Sequence, residues 1–301
     1  MVWYPTNATT ERSVYYTLSF TGQGVYNADP ASTCGPRPLV ILSPGYGACR
    51  STSSYLTETL ARRGYIVASL DHKDSVCAAM KLPPTVDFLN VSTWTDANFA
   101  DRATDVKRAL DLMLADPKLG PAIDQTKIGG LGHSLGAYTI FGMAGGWQSW
   151  YEPRIRSVAL MAPYMTPYWT RSQVAAVSIP KLYEGGSNDL PSVLVRVPYG
   201  IYDASAANKT LLEINGAGHL AWTNTVCGTS RSITDCLRAA PTAQLVVDSL
   251  TDFLQFSLEG SAPSSLLTSG SPLLSVFKTD LVPPPPPPSG AAKSSSQTRV
   301  K

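Results

Sequence analysis

KIGGLGHSLGAYTIFG, residues 127–142, places five glycines, a histidine and a serine between an apolar run and a helix-like one. Two readings compete: a loose glycine-rich turn, or a sharp strand-to-helix corner whose tip presents Ser134. Gly132-His133-Ser134-Leu135-Gly136 has the spacing G-x-S-x-G, which alone is a weak signal. The flanking runs strengthen it, because a nucleophile elbow needs a strand before it and a helix after it. A serine at such a tip is forced into strained backbone angles. Glycines on both sides let strand and helix approach without side-chain collision.

Strand-like and helix-like stretches alternate outward from this corner. PLVILSPG (38–45), YIVASLDH (65–72), RSVALMAPY (156–164), IPKLYEGG (179–186) and KTLLEING (209–216) read as strands. Residues 53–64, 96–116, 135–145 and 241–258 read as helices; Val106, Leu110 and Leu114 share one face of the second. Near-continuous apolar strands separated by helices imply an α/β fold with a mostly parallel sheet covered on both faces. Ligands in such sheets collect at the carboxyl ends of the strands. Residues 1–260 are read as one catalytic domain. From 261 the pattern dissolves into SAPSSLLTSGSPLL, six prolines at 283–288 and a polar basic end, so 261–301 is expected to be a disordered tail. The prolines could also engage a protein partner.

The bulk composition excludes several classes. Twenty-four basic and 22 acidic residues leave a net charge of +2, with no basic run to track a phosphate backbone, so nucleic acid is not expected as a partner. No apolar segment is long enough to span a bilayer. The start, MVWYPTNATTERSVYY, lacks a basic stretch followed by an apolar run, and no leader is read there. Localisation stays open, with secretion favoured by sequons at Asn7, Asn90 and Asn208 if a leader precedes the chain. The five cysteines form neither a zinc spacing nor a redox pair. Cys227 with Cys236, and Cys49 with Cys77, are candidate disulfides; Cys34 is left over, and five free thiols remain the alternative.

A serine hydroxyl is inert near neutral pH without a base. Only three histidines exist. His133 belongs to the corner and, by strand alternation, faces away from the Ser134 hydroxyl, while His72 precedes the serine. His219, in EINGAGHLAW, follows the last strand of the series, where the order Ser…Asp…His requires it. The acid should end a strand between the two, and Asp189 in IPKLYEGGSNDLPS fits; Glu184 and Asp203 are its rivals. Two backbone N–H groups are needed for an oxyanion. Leu135 supplies one, and Tyr46, in the loop SPGYGACRS, is nominated for the other. Scattered histidines offer no metal cluster, and no cofactor is expected.

With those residues in place, the chain resembles the α/β-hydrolases. The likeness is to the branch holding dienelactone-hydrolase-like proteins, platelet-activating-factor acetylhydrolases and cutinase-like polyester hydrolases, over VWYPTNA to about residue 258. SPGYGACRS…LARRGYIVASLDHKDS is similar to the acetylhydrolases; PGYGA and LLEINGAGHLAWTN are similar to the polyester hydrolases. The resemblance implies Ser134 as nucleophile, Asp189 as acid, His219 as base, and Tyr46 and Leu135 as oxyanion amides. Two departures stand out. Met161 occupies the place where acetylhydrolases carry their acid, and the chain begins where such relatives have an earlier strand.

Only residues 165–178 separate ALMAPY from IPKLYEGG, the usual place of a lid, so an open cleft without a large cap is expected. Tyr46, Tyr164, Tyr168, Trp169 and Trp222 are expected to line it, which points to a bulky, uncharged ester, small or polymeric. The expected activity is carboxylic ester hydrolysis. A thioesterase or lactonase with the same machinery, or a non-catalytic binding protein on the same fold, is the alternative.

Overall fold

A computed structural model describes residues 1–282 apart from 11, 18–19, 32–34, 76–85, 89, 91–92 and 170–171. Its strands are β1 (Val2–Trp3), β2 (Arg12–Thr17), β3 (Phe20–Gly24), β4 (Arg37–Ser43), β5 (Ile66–Ser69), β6 (Ile123–His133), β7 (Ile155–Met161), β8 (Lys181–Gly186), β9 (Lys209–Ile214) and β10 (Leu274–Asp280). Long helices are α1 (Ser54–Arg62), α2 (Ala100–Ala115) and α8 (Pro241–Glu259); α3 (Leu135–Phe141) and α7 (Ile233–Ala239) are shorter. Single turns form α4 (Gln173–Ala176), α5 (Val193–Arg196), α6 (Ile201–Ala204) and α9 (Ser265–Thr268).

Eight strands form one sheet in the order β1-β5-β4-β6-β7-β8-β9-β10, with β2 and β3 as a separate hairpin. From β5 to β9 every pairing is parallel; only the two edges, β1 on β5 and β10 on β9, are antiparallel. This is the mostly parallel sheet expected from the apolar strands.

Side chains of successive strand residues enter opposite cores. Val40, Leu42, Leu131, Ala159, Leu182 and Leu212 pack with α1 and α8 through Leu56, Leu60, Leu250, Phe253 and Leu254. Leu39, Ile41, Ile128, Val158, Leu160 and Tyr183 pack on the other face with Val106 and Leu110 of α2 and Ala137, Tyr138 and Ile140 of α3. The chain moves outward from β4 to β5, then returns across β4 to β6. The strand order therefore reverses between β4 and β6, and the crevice at their carboxyl ends is where a doubly wound sheet places its ligand. The segment 162–180, where a lid would sit, carries among its described residues only one 3-10 turn at Thr166–Tyr168 and α4.

The boundary expected at residue 260 needs correction. Residues beyond it form α9 and β10, and β10 pairs with β9 from Leu274↔Ile214 to Asp280↔Lys209. Leu267 is fully buried under α8. The folded unit thus runs at least to Leu281, which packs against the core. Strand β10 is half exposed along its length, so it lacks the apolar run that marks the central strands. The proline run and basic end, 283–301, lie outside the described residues. Cys227 and Cys236 are bonded, as their spacing suggested. Cys49 is also disulfide-bonded; the suggested partner, Cys77, and Cys34 lie outside the described residues.

Candidate active site

The corner forms as its composition demands. Ser134 adopts φ 54° and ψ −118°, between the end of β6 and the first residue of α3. Its N–H donates to Met161 O (3.0 Å), while its carbonyl accepts from Ala137 and Tyr164 N–H (3.0 and 3.2 Å). These bonds over-determine a backbone geometry that L-residues avoid. A Cβ on Gly132 would stand 2.4 Å from Gly136 O, and one on Gly136 would stand 1.9 Å from Ser43 O. Both glycines are required by close backbone approach.

Three side chains from three strand ends converge here. Ser134 Oγ lies 2.9 Å from His219 Nε2, and His219 Nδ1 lies 2.8 Å from Asp189 Oδ1. The Asp189 side chain is fully shielded from solvent, and Ser192 Oγ donates to its second oxygen. The histidine remains one-third exposed. The rival acids go elsewhere. Glu184 is buried and accepts from Trp222 Nε1 (2.7 Å) and Ser249 Oγ; Asp203 accepts from the Tyr199 N–H at the surface.

The loop after β4 lies directly on the corner: a Cβ on Gly45 would come within 3.2 Å of Ser134 Cβ. Among the described residues, neither the Tyr46 nor the Leu135 N–H has an acceptor. Two open donors thus flank the serine, from the loop and from the first turn of α3.

The aromatic residues expected to line a cleft divide. Tyr46 and Trp169 are half-buried. So is Tyr164, whose hydroxyl donates to Phe88 O at 2.5 Å. Trp222 is a correction. It is fully buried behind the histidine loop, with its indole N–H on Glu184 and its carbonyl held by Ser53 Oγ (2.7 Å). Tyr168 is likewise core, donating to Tyr138 O (3.1 Å).

Two features escaped the sequence. His133 bonds through Nε2 to His219 O (2.9 Å), with the two rings 5.1 Å apart. Burial, and then repulsion from His219, push its pKa down to about 4, so it stays neutral beside the His219 ring. Nothing in the pattern G-x-S-x-G signals that contact. Leu190 and Leu220, each next to a member of the trio, are 83% and 52% exposed. The leucines in the loops SNDLPS and AGHLAW were their visible trace. His72 sits apart, between Ser43 Oγ and Asp105 Oδ2, each at 2.9 Å.

Among the described residues no cluster of histidine, cysteine and carboxylate could hold a metal ion. No helix there is long and apolar enough to cross a membrane.

Against known proteins, the family described as platelet-activating factor acetylhydrolase, isoform II, matches residues 7–85. Cutinase est2 of Thermobifida alba is 25% identical over 207 residues, 67% of this chain and 58% of that protein. Lipase 1 of a Moraxella species (strain TA144) is 22% identical over 200 residues, covering 66% of this chain and 53% of its own. The chain spans little more than half the length of the cutinase and lipase it matches. In structure it is similar to a ferulic acid esterase from Streptomyces cinnamoneus, with a TM-score of 0.66 over 88% of this chain and 84% of that one, at 22% identity. The fold is that of the α/β-hydrolases.

Proposed function

We propose that this chain is a serine-dependent carboxylic ester hydrolase. The observation that carries the reading is the hydrogen-bonded series Ser134–His219–Asp189, at 2.9 and 2.8 Å, set at the strand-order reversal beside two open N–H groups. In this reading His219 Nε2 takes the Ser134 proton as Oγ attacks the ester carbonyl. The carbonyl oxygen becomes an oxyanion held by the Tyr46 and Leu135 N–H groups, each worth about 3 kcal/mol in the transition state. Asp189 holds Nδ1–H, which fixes the tautomer and stabilises the imidazolium. The imidazolium then protonates the departing alkoxide, leaving an acyl-serine. Water, activated by the same histidine, attacks that ester and frees the acid.

A bulky, uncharged ester suits the rim, where Leu190 and Leu220 stand exposed beside Asp189 and His219. The cutinases and the ferulic acid esterase among the similar proteins support the same class, small or polymeric. Labelling with a fluorophosphonate probe tests the mechanism. The wild type should label, and Ser134→Ala and His219→Ala should not. A folded wild type that fails to label would reduce the corner to a turn and favour a binding role. A matched panel of oxygen esters, thioesters and lactones then separates ester hydrolysis from the thioesterase and lactonase alternatives.

A further inference from the structure

A trans peptide is planar, and its carbonyl points opposite to the N–H that follows. Whatever holds the Gly45 carbonyl therefore aims the Tyr46 N–H. Three donors lie on Gly45 O: Ala48 N–H at 3.2 Å, Arg102 Nη2–H at 3.4 Å, and Ser75 Oγ–H at 3.0 Å, whose one proton is shared with Ala48 O. Arg102 also donates through Nη1 to Pro44 O (2.9 Å), so one guanidinium fixes two consecutive peptide planes. The same Ser75 hydroxyl reaches Ala48 O (2.7 Å), and Asp74 O accepts the Gly47 N–H (3.0 Å).

Arg102 projects from α2 with no exposed surface. Its charge is balanced by Asp74, through Nε to Oδ1 and Oδ2 (3.0 and 3.1 Å) and Nη2 to Oδ2 (2.9 Å). A buried ion pair is a poor source of stability compared with apolar packing. Its place under the loop, and its donors on that loop's carbonyls, call for another explanation.

We propose that Arg102 and Ser75 are positioning residues that hold the 45–46 peptide so that the Tyr46 N–H faces the oxyanion formed at Ser134. The proposal rests on the ester-hydrolase reading above, and Asp74 serves it by neutralising Arg102. Neither Arg102 nor Ser75 touches the reacting atoms; both act through the peptide plane.

The test uses the full chain and its Ser75→Ala and Arg102→Lys variants with p-nitrophenyl butyrate. Competent sites are counted by fluorophosphonate stoichiometry, so that kcat is expressed per folded site. Ser75→Ala keeps the ion pair intact and should lower kcat about 3- to 10-fold, with KM within about two-fold. Arg102→Lys keeps the charge but loses the fork, and should lower kcat about 10- to 100-fold. An arylboronic acid, whose tetrahedral adduct carries an anionic oxygen, should lose affinity in step with kcat/KM. Unchanged kcat per site in Ser75→Ala, or a rise in KM alone, overturns the proposal. Should Arg102→Lys fail to fold, Ser75→Ala decides the matter alone. A wild type that neither labels nor turns over would instead remove the hydrolase reading, and the proposal with it.

Discussion

At Ser134 a side chain sits where the backbone is costly, with φ 54° and ψ −118°, and the neighbours that make this tolerable have no side chains of their own. Gly136 shows how narrow the tolerance is. A Cβ there would lie 1.9 Å from Ser43 O and 2.7 Å from Pro44 O, both backbone atoms that cannot swing aside. Gly136→Ala should therefore cost on the order of 3 kcal/mol and abolish fluorophosphonate labelling, because β4 and the loop after it must move off the corner. Urea unfolding measures the first effect; an unchanged unfolding free energy would contradict the close approach. This part of the site was legible because steric need leaves glycine in fixed places around one serine. His219 was legible too, by its position after the last strand of the series and the scarcity of histidines. The bond from His133 to His219 O was not legible, since it depends on how the end of β6 meets the distant loop after β9. Trp222 misled for a related reason: an aromatic side chain in the His219 loop can face either cleft or core, and Glu184 and Ser53 hold it inward.

At the level of elements, the central strands announced themselves because they are covered on both faces and read as apolar runs. The edge strand β10 did not. LSVFKTD has one neighbour and is partly exposed, and it sits in a serine- and proline-rich setting that reads as tail. Yet it closes the edge of β9, whose sequence KTLLEI would otherwise present unpaired N–H and C=O groups beside apolar side chains. A chain ending at Pro272 should consequently aggregate and melt at least roughly 5 °C below one ending at Val282. Light scattering and a thermal melt on the two chains check this. Equal midpoints with a monodisperse shorter chain would mean that β10 adds nothing to the sheet. The same comparison locates the domain boundary, which composition alone drew too early.

For the whole molecule, two buried groups, Glu184 and His133, pull stability in opposite directions with pH. Burial raises the Glu184 carboxyl from 4.5 to about 7, against the donors Ser249 and Trp222 that favour its charge. The folded state therefore binds more protons than the unfolded one between pH 4.5 and 7. This contribution is fully present below pH 4.5 and is lost as pH rises through 7. His133 runs the other way. Its folded value, about 4 against 6.5 unfolded, means that the unfolded chain binds more protons in that window, so stability falls as pH falls from 6.5 to 4. Between pH 4.5 and 6.5 the two slopes, each at most about 1.4 kcal/mol per pH unit, nearly cancel. Removing one should expose the other. Glu184→Gln keeps the shape of the side chain, and its stability should rise with pH across that window relative to wild type. His133→Asn should show the reverse slope and, through the freed His219 carbonyl, a lower kcat. Urea denaturation of the three proteins at a series of pH values reads both slopes. Parallel curves for wild type and Glu184→Gln would mean that Glu184 titrates alike in the folded and unfolded chains, and that the wall behind His219 carries a charge at neutral pH.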